Sequence, residues 1–161
     1  MDHMVKRGGS YVPASLIQVG DVLETGTGDM VMIEFIETVT RKGVYAPFTM
    51  SGTIIVNDVK ASSYVSFQSA ENLIIGGWKT PLTFQWIAHL SQGPHRVWTA
   101  LFGIGEETYS VEGMSTWIDA PHNLAEWFLN QNSIVMIVLL VPALLLLLVI
   151  SAIEAVVGWL L

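Results

Sequence analysis

Apolar and polar positions along the chain fall into three successive patterns. The first is short and punctuated. Val12-Pro-Ala-Ser-Leu-Ile-Gln-Val-Gly-Asp-Val-Leu23 is an apolar stretch cut by Gly20-Asp21, a tight-turn signal. Gly26-Thr-Gly-Asp29 is a second turn. Met30 to Thr40 alternates in part, with Val31, Ile33 and Phe35 set against Met32 and Glu34, which predicts a half-buried strand. Arg41-Lys-Gly43 turns the chain, and Val44 to Phe48 reads as extended, with Pro47 suggesting an edge. Ser51-Gly-Thr-Ile-Ile-Val56 is a further strand. Asn57-Asp58 makes a two-residue turn, and Val59 to Phe67 returns as the second arm of a hairpin.

The second pattern has helical spacing. Thr83-Phe-Gln-Trp-Ile-Ala-His-Leu90 places Trp86, Ile87 and Leu90 on one face. Pro94-His-Arg-Val-Trp-Thr-Ala-Leu-Phe102 does the same for Val97, Trp98 and Leu101. Gly93-Pro94 separates the two. Pro121-His-Asn-Leu-Ala-Glu-Trp-Phe-Leu129 opens on a proline suited to a first helical position.

The third pattern is uniformly apolar. Ile134 to Ile153 carries no charged residue, and twenty helical residues reach about 30 Å, the thickness of a bilayer core. This predicts a transmembrane helix. Pro142 near its middle removes a backbone donor and is expected to kink the helix or split it into a re-entrant pair. Glu154, costly at mid-bilayer, is expected at the interface. Orientation is unreadable, because the nearest cation before the span is Arg96. The fold class is therefore mainly β, followed by short amphipathic helices and one C-terminal transmembrane helix, with boundaries at 1–67, 68–132 and 133–161.

Composition sharpens this. Hydrophobic residues make up 52% and charged residues 13% of the chain, against about 25% charged in ordinary soluble domains. The formal net charge is −7. No basic stripe exists, so nucleic acid is excluded as a partner. There is no cysteine, hence no disulfide, no thiolate metal site and no cysteine nucleophile. Met1 to Ser10 lacks the apolar core of a signal peptide. His89, His95 and His122 lack metal-ligand spacing, and no metal or other cofactor is expected. Glu34/Glu37 and Glu106-Glu107 read as solvated pairs. Ser10, Ser15 and Ser62 have no Gly-x-Ser-x-Gly setting, and neither Gly26-Thr-Gly28 nor Gly103-Ile-Gly105 has phosphate-loop spacing.

Three segments together resemble the Hedgehog-type Hint family of self-processing domains. Val12 to Leu23 is similar to that family's valine–glycine–aspartate strand-turn. Gly43-Val-Tyr-Ala-Pro-Phe-Thr-Met-Ser-Gly-Thr-Ile-Ile-Val56 is similar to its closing signature, and Ala61-Ser-Ser-Tyr64 to its terminal Ala-Ser-Cys-Tyr. The resemblance implies an all-β horseshoe. It implies a chemistry in which a first-residue cysteine shifts the preceding peptide to a thioester, assisted by a Thr-x-x-His motif and, in the sterol-using branch, an aspartate. This chain has neither the cysteine nor the Thr-x-x-His. The catalytic half is expected to lie upstream of the residues seen here, and no catalytic residue is assigned. Ser63 stands at the cysteine of Ser-Cys-Tyr and is expected to hydrogen-bond rather than attack.

The resemblance also implies a lipid-recognition region after Tyr64. Trp86, Ile87, Leu90, Trp98 and Leu101 are the candidates to meet the bilayer interface, the alternative being that they pack on the β core. Two functions follow as expectations. One is the C-terminal portion of a self-cleaving domain, inactive alone. The other is a non-catalytic, membrane-anchored module pairing through exposed β edges. The expected partners are membrane lipid, sterol included, and either a missing N-terminal Hint half or another β-edge partner. The expected location is a single-pass membrane site in the secretory pathway or at the cell surface.

Overall fold

The computed structural model describes residues 2–40, 47–103, 105, 108 and 115–160. The turn at Arg41-Lys-Gly43, the extended start at Val44, the opening Gly43-Val-Tyr-Ala of the signature, Ile104, Glu106-Glu107 and Glu112 lie outside the described residues. The chain divides into two compact units. The first comprises Met1–Ile74 and Thr80–Gln85, the second Ile75–Lys79 and Trp86–Leu161.

The first unit is an antiparallel sheet. β1 (Asp2–Arg7) and β2 (Ser10–Pro13) form a hairpin, and a short 3-10 turn follows at Ala14–Leu16. β3 (Val22–Glu24), β4 (Met30–Met32), β5 (Thr53–Val56) and β6 (Val59–Ser66) complete it, in the order β4-β3-β1-β6-β5 with β2 on β1. Met4, Val12, Leu23 and Tyr64 form its buried interior, and Met4 is fully enclosed. The turns fall where the sequence places them. Gly20 adopts a φ of 92°. Asn57 and Asp58 adopt φ of 47° and 67°, the left-handed pair that suits a two-residue hairpin to the strand twist.

One strand goes unassigned in the sequence reading, and one strand expectation needs correction. β1 is the central strand, although Asp2-His-Met-Val-Lys-Arg gives little apolar signal; Met4 alone is buried, and charged side chains flank it. The strand over Met30 to Thr40 is only Met30–Met32, and it is exposed rather than half-buried. Among the described residues β4 ends the sheet, and no further strand covers its apolar positions. Beyond it the pairing stops after Ile33, whose N–H donates to the Asp21 carbonyl and whose carbonyl accepts from Gly20 N–H, both at 2.9 Å.

β7 (Asn72–Ile75) and β8 (Trp78–Thr83) form a two-stranded sheet through Gly76-Gly77. The sequence reading assigns no element between Phe67 and Thr83, and this hairpin fills that gap; apolar runs on both sides of a Gly-Gly pair are its signature.

The second unit is helical. α1 (Phe84–Ser91) and α2 (Gly93–Phe102) are separated at Gln92-Gly93, with Pro94 in the first turn of α2. α3 (Thr116–Leu129) begins five residues before Pro121, not at it. Trp117 in its first turn stacks on His95 with ring centroids 5.0 Å apart, a tertiary contact that holds the turn before Pro121. α4 (Ser133–Leu160) runs unbroken through Pro142, so the expected split into a re-entrant pair does not occur. Its segment Ser133–Trp159 is long and apolar enough to cross a membrane.

Candidate functional site

The chemistry-bearing residues of the first unit converge on the carbonyl of Gly52. Thr49-Met-Ser-Gly-Thr53 bends into β5, and Gly52 takes a φ of 71°. An added Cβ there would run into the Tyr64 ring, with the Tyr64 Oη only 2.9 Å away. Glycine is thus required by both backbone and space. With the backbone this close, the Gly52 oxygen accepts from Ser63 N–H at 3.1 Å and from the Gln85 amide at 3.2 Å.

Ser62, wholly buried on β6, ties this point to α1. Its hydroxyl meets Gln85 Oε1 at 2.5 Å and accepts from Tyr64 N–H at 2.9 Å. Ser63 points elsewhere: its hydroxyl accepts from Thr49 Oγ1 at 3.4 Å. Thr49 also reaches the Thr53 carbonyl at 3.0 Å, and Tyr11 Oη lies 2.6 Å from Thr53 Oγ1. The partners are hydroxyls, an amide and backbone. Among the described residues no imidazole, carboxylate or ammonium is hydrogen-bonded to Ser62 or Ser63. The arrangement can position backbone and bury polar atoms at low cost.

The charged groups of this unit lie apart from that cluster. Glu24 bridges Lys6 at 3.0 Å and also pairs with Lys60, joining β3, β1 and β6. Hydrogen bonds from Lys60 and then Lys6 hold its carboxyl below the usual range. Asp21 is likewise lowered, first by the Gln18 N–H and then by Arg7, which it pairs with at 3.0 Å.

In the second unit the lipid-interface candidates separate. Trp86, Trp98 and Leu101 are exposed, Ile87 is half-buried, and Leu90 is buried in the interior. Trp98 and Leu101 line an apolar cleft of about 320 Å³ with Pro94, Trp117, Ile150 and Ile153. Glu154 is not the isolated acid the sequence suggests. Arg96 Nε and Nη2 reach its two oxygens at 2.5 and 2.7 Å, and Arg96 Nη1 donates to the His89 carbonyl at 2.7 Å. Burial lowers the His89 pKa, Arg96 lowers it further, and Glu154 opposes both. No group of three potential metal ligands occurs among the described residues.

Sequence reasoning missed Gln85, which is 23 residues from Ser62, and the Arg96–Glu154 pair, 58 residues apart. A glutamine on the first turn of an amphipathic helix was the available hint of the former. A charged residue at the edge of an apolar run was the hint of the latter.

A family model described as the Hint module matches residues 3–130. No curated protein matches the chain, and no solved structure does.

Proposed function

The chain belongs to the Hint module family, and from that premise we propose that it carries the closing part of a Hedgehog/intein-like self-processing domain, held to a membrane by α4 and unable to cleave itself as it stands. Hint-type self-processing runs through a thiolate and a thioester. No cysteine occurs in the 161 residues. The observation that carries the reading is this missing thiol, which Ser63 does not replace: it stands at the cysteine of Ser-Cys-Tyr, which in the family lies near the active site and is not the attacking nucleophile. The Ser63 hydroxyl is engaged by Thr49 and its N–H by Gly52, with no base beside it among the described residues. A serine without a base is a poor nucleophile at neutral pH. Membrane attachment is supported by the length and apolarity of α4, and a secretory or cell-surface location goes with the Hedgehog likeness.

The experiment is a reporter protein fused ahead of Met1 of the full chain, incubated with dithiothreitol or hydroxylamine. The expected result is an intact fusion, for the natural chain and for Ser63→Cys alike. Thiol-dependent release of the reporter from the natural chain overturns the reading.

A second reading, an interaction module that pairs through sheet edges, is favoured by one feature. Among the described residues the sheet ends on β4 and β5, and Met30, Val31, Met32, Ile55 and Val56 are exposed there. Apolar edge strands left open are sites for pairing with another chain. Crosslinking of single-cysteine variants at Val31 and Ile55 to another chain in cell membranes supports this reading, and labelling of both by water-soluble maleimide with no crosslink removes it.

A further inference from the structure

α2 is built with its polarity reversed. On a helix in water, charged side chains face out and apolar ones face in. Here the side chain of Arg96 is only 9% exposed and is turned to α4. Trp98, Leu101 and Phe102 are 50%, 50% and 67% exposed.

The inward face of α2 is fitted to α4 at two points. At Gly93 an added Cβ would collide with the Ile150 side chain, a close approach of the kind that small residues allow between helices in lipid. One turn on, Arg96 grips Glu154 with both arms of its fork. Gly93 and Arg96 are three apart on α2, and Ile150 and Glu154 are four apart on α4, so each pair shares a face. The third arm of Arg96 is met by the His89 carbonyl. An arginine paired with a carboxylate and donating from all three of its nitrogens is the form in which a cation is tolerated away from water.

The outward face is continuous with α4. Ile150 and Ile153 line the same cleft as Trp98 and Leu101. Over its most apolar 18-residue window α4 is only 6% buried and has a mean hydropathy of 3.2. The two helices, with Trp117 of α3 beside Trp98 in the cleft, thus offer a largely apolar surface, with Arg96 turned inward and Glu154 partly covered by it.

We propose that α2 is embedded among lipid acyl chains beside the C-terminal third of α4, docked there by Gly93 and by the Arg96–Glu154 pair, rather than lying flat at the headgroup level. This rests on α4 being within the bilayer. The occupant of the Trp98–Leu101–Phe102 face is hydrocarbon, because that face continues the one that α4 presents.

The absence of native cysteine makes the test direct. Single-cysteine variants of the full chain, Phe102→Cys, Leu101→Cys, Leu146→Cys and Asp58→Cys, are reconstituted in phosphatidylcholine vesicles and treated with N-ethylmaleimide. That reagent crosses bilayers, so its rate reports how readily the thiol ionises and not which side it is on. The expected result is that Phe102→Cys and Leu101→Cys react at least tenfold more slowly than Asp58→Cys and within a few-fold of Leu146→Cys. Adding Arg96→Gln should raise the α2 rates toward that of Asp58→Cys. Exchanging the charges, Arg96→Glu with Glu154→Arg, should lower them again. Fast α2 cysteines with a slow Leu146→Cys overturn the inference and leave the anchor standing. A fast Leu146→Cys overturns both. α2 rates unmoved by Arg96→Gln remove the ion pair from the docking. Protection lost on tenfold dilution with lipid overturns the inference in favour of a second copy as the occupant.

Discussion

Two ion-pair systems in this chain are built in opposite senses. In the sheet, Glu24 joins Lys6 and Lys60 across three strands, outside an interior of Met4, Val12, Leu23 and Tyr64. In the helices, Arg96 and Glu154 lie on the inward faces of α2 and α4, and the aromatic and aliphatic side chains face out. The difference teaches that one composition serves two environments. The sheet uses its few charges to tie three strands together at a half-covered margin, with the Glu24 side chain 13% exposed between Lys6 and Lys60. The helices place theirs between elements, where breaking a pair leaves a charge stranded. Substitutions should therefore have unequal consequences in the two units.

The largest expected effect is at Gly52. Gly52→Val forces a β-branched residue into a left-handed backbone and against the Tyr64 ring. Strain of about 1–2 kcal/mol joins overpacking of about 1–3 kcal/mol. Urea unfolding of the full chain in micelles, followed by near-ultraviolet circular dichroism, should show the sheet transition lost or moved far down, with far-ultraviolet helix signal retained. Equal loss of both signals breaks the contrast between the units. Next comes Met4→Ala, which empties the centre of the sheet and should cost about 2–5 kcal/mol in the same assay.

Ser62 and Ser63 sharpen the picture within the sheet. Ser62→Ala strands Gln85 and the Tyr64 N–H in a buried setting and should cost about 1–3 kcal/mol. Ser63→Ala removes one long contact with Thr49 and should cost under about 1 kcal/mol. Reversed magnitudes would mean that Ser63, not Ser62, organises the cluster. These two adjacent serines also mark the limit of what sequence could tell. The hairpin at Asn57-Asp58, the helices after Thr83 and the apolar tail are visible because each is a local pattern of period or turn chemistry. The importance of Ser62 over Ser63 depends on Gln85, and that of Glu154 on Arg96. Both are long-range pairings that no local pattern encodes. β1 escaped for a related reason: a central strand is usually recognised by apolar content, yet this one holds its place through hydrogen bonds to three neighbours and one enclosed methionine.

Acid should separate the units further. Glu24 has its carboxyl held low by Lys60 and Lys6, and Asp21 by Gln18 N–H and Arg7. A carboxylate with a lowered folded pKa contributes stability that is complete above its ordinary value, 4.5 for Glu24 and 3.8 for Asp21, and is lost as pH falls through the folded value. The urea midpoint of the sheet should thus hold between pH 7 and 5 and decline below about pH 4.5. Lys60→Met should flatten that decline. An unchanged pH profile in this variant would show that the strand-bridging pair contributes nothing to the sheet.

The smallest effect should be a gain. Asp58 sits at the second position of the hairpin turn with a φ of 67°, where glycine is the preferred residue. Asp58→Gly relieves left-handed strain but leaves an unfolded chain with more freedom, and the two terms oppose each other. Relief of strain wins where φ is positive, so the sheet should gain a few tenths to about 1 kcal/mol. The corresponding exchange in the helices runs the other way. Gly93→Ala has a negative φ to suit it and raises helix propensity, yet it meets Ile150 across the α2–α4 contact. If Asp58→Gly stabilises its unit while Gly93→Ala loosens its own, backbone conformation governs one glycine preference and packing distance the other. If Gly93→Ala instead stabilises the helices, then α2 does not approach α4 at Gly93.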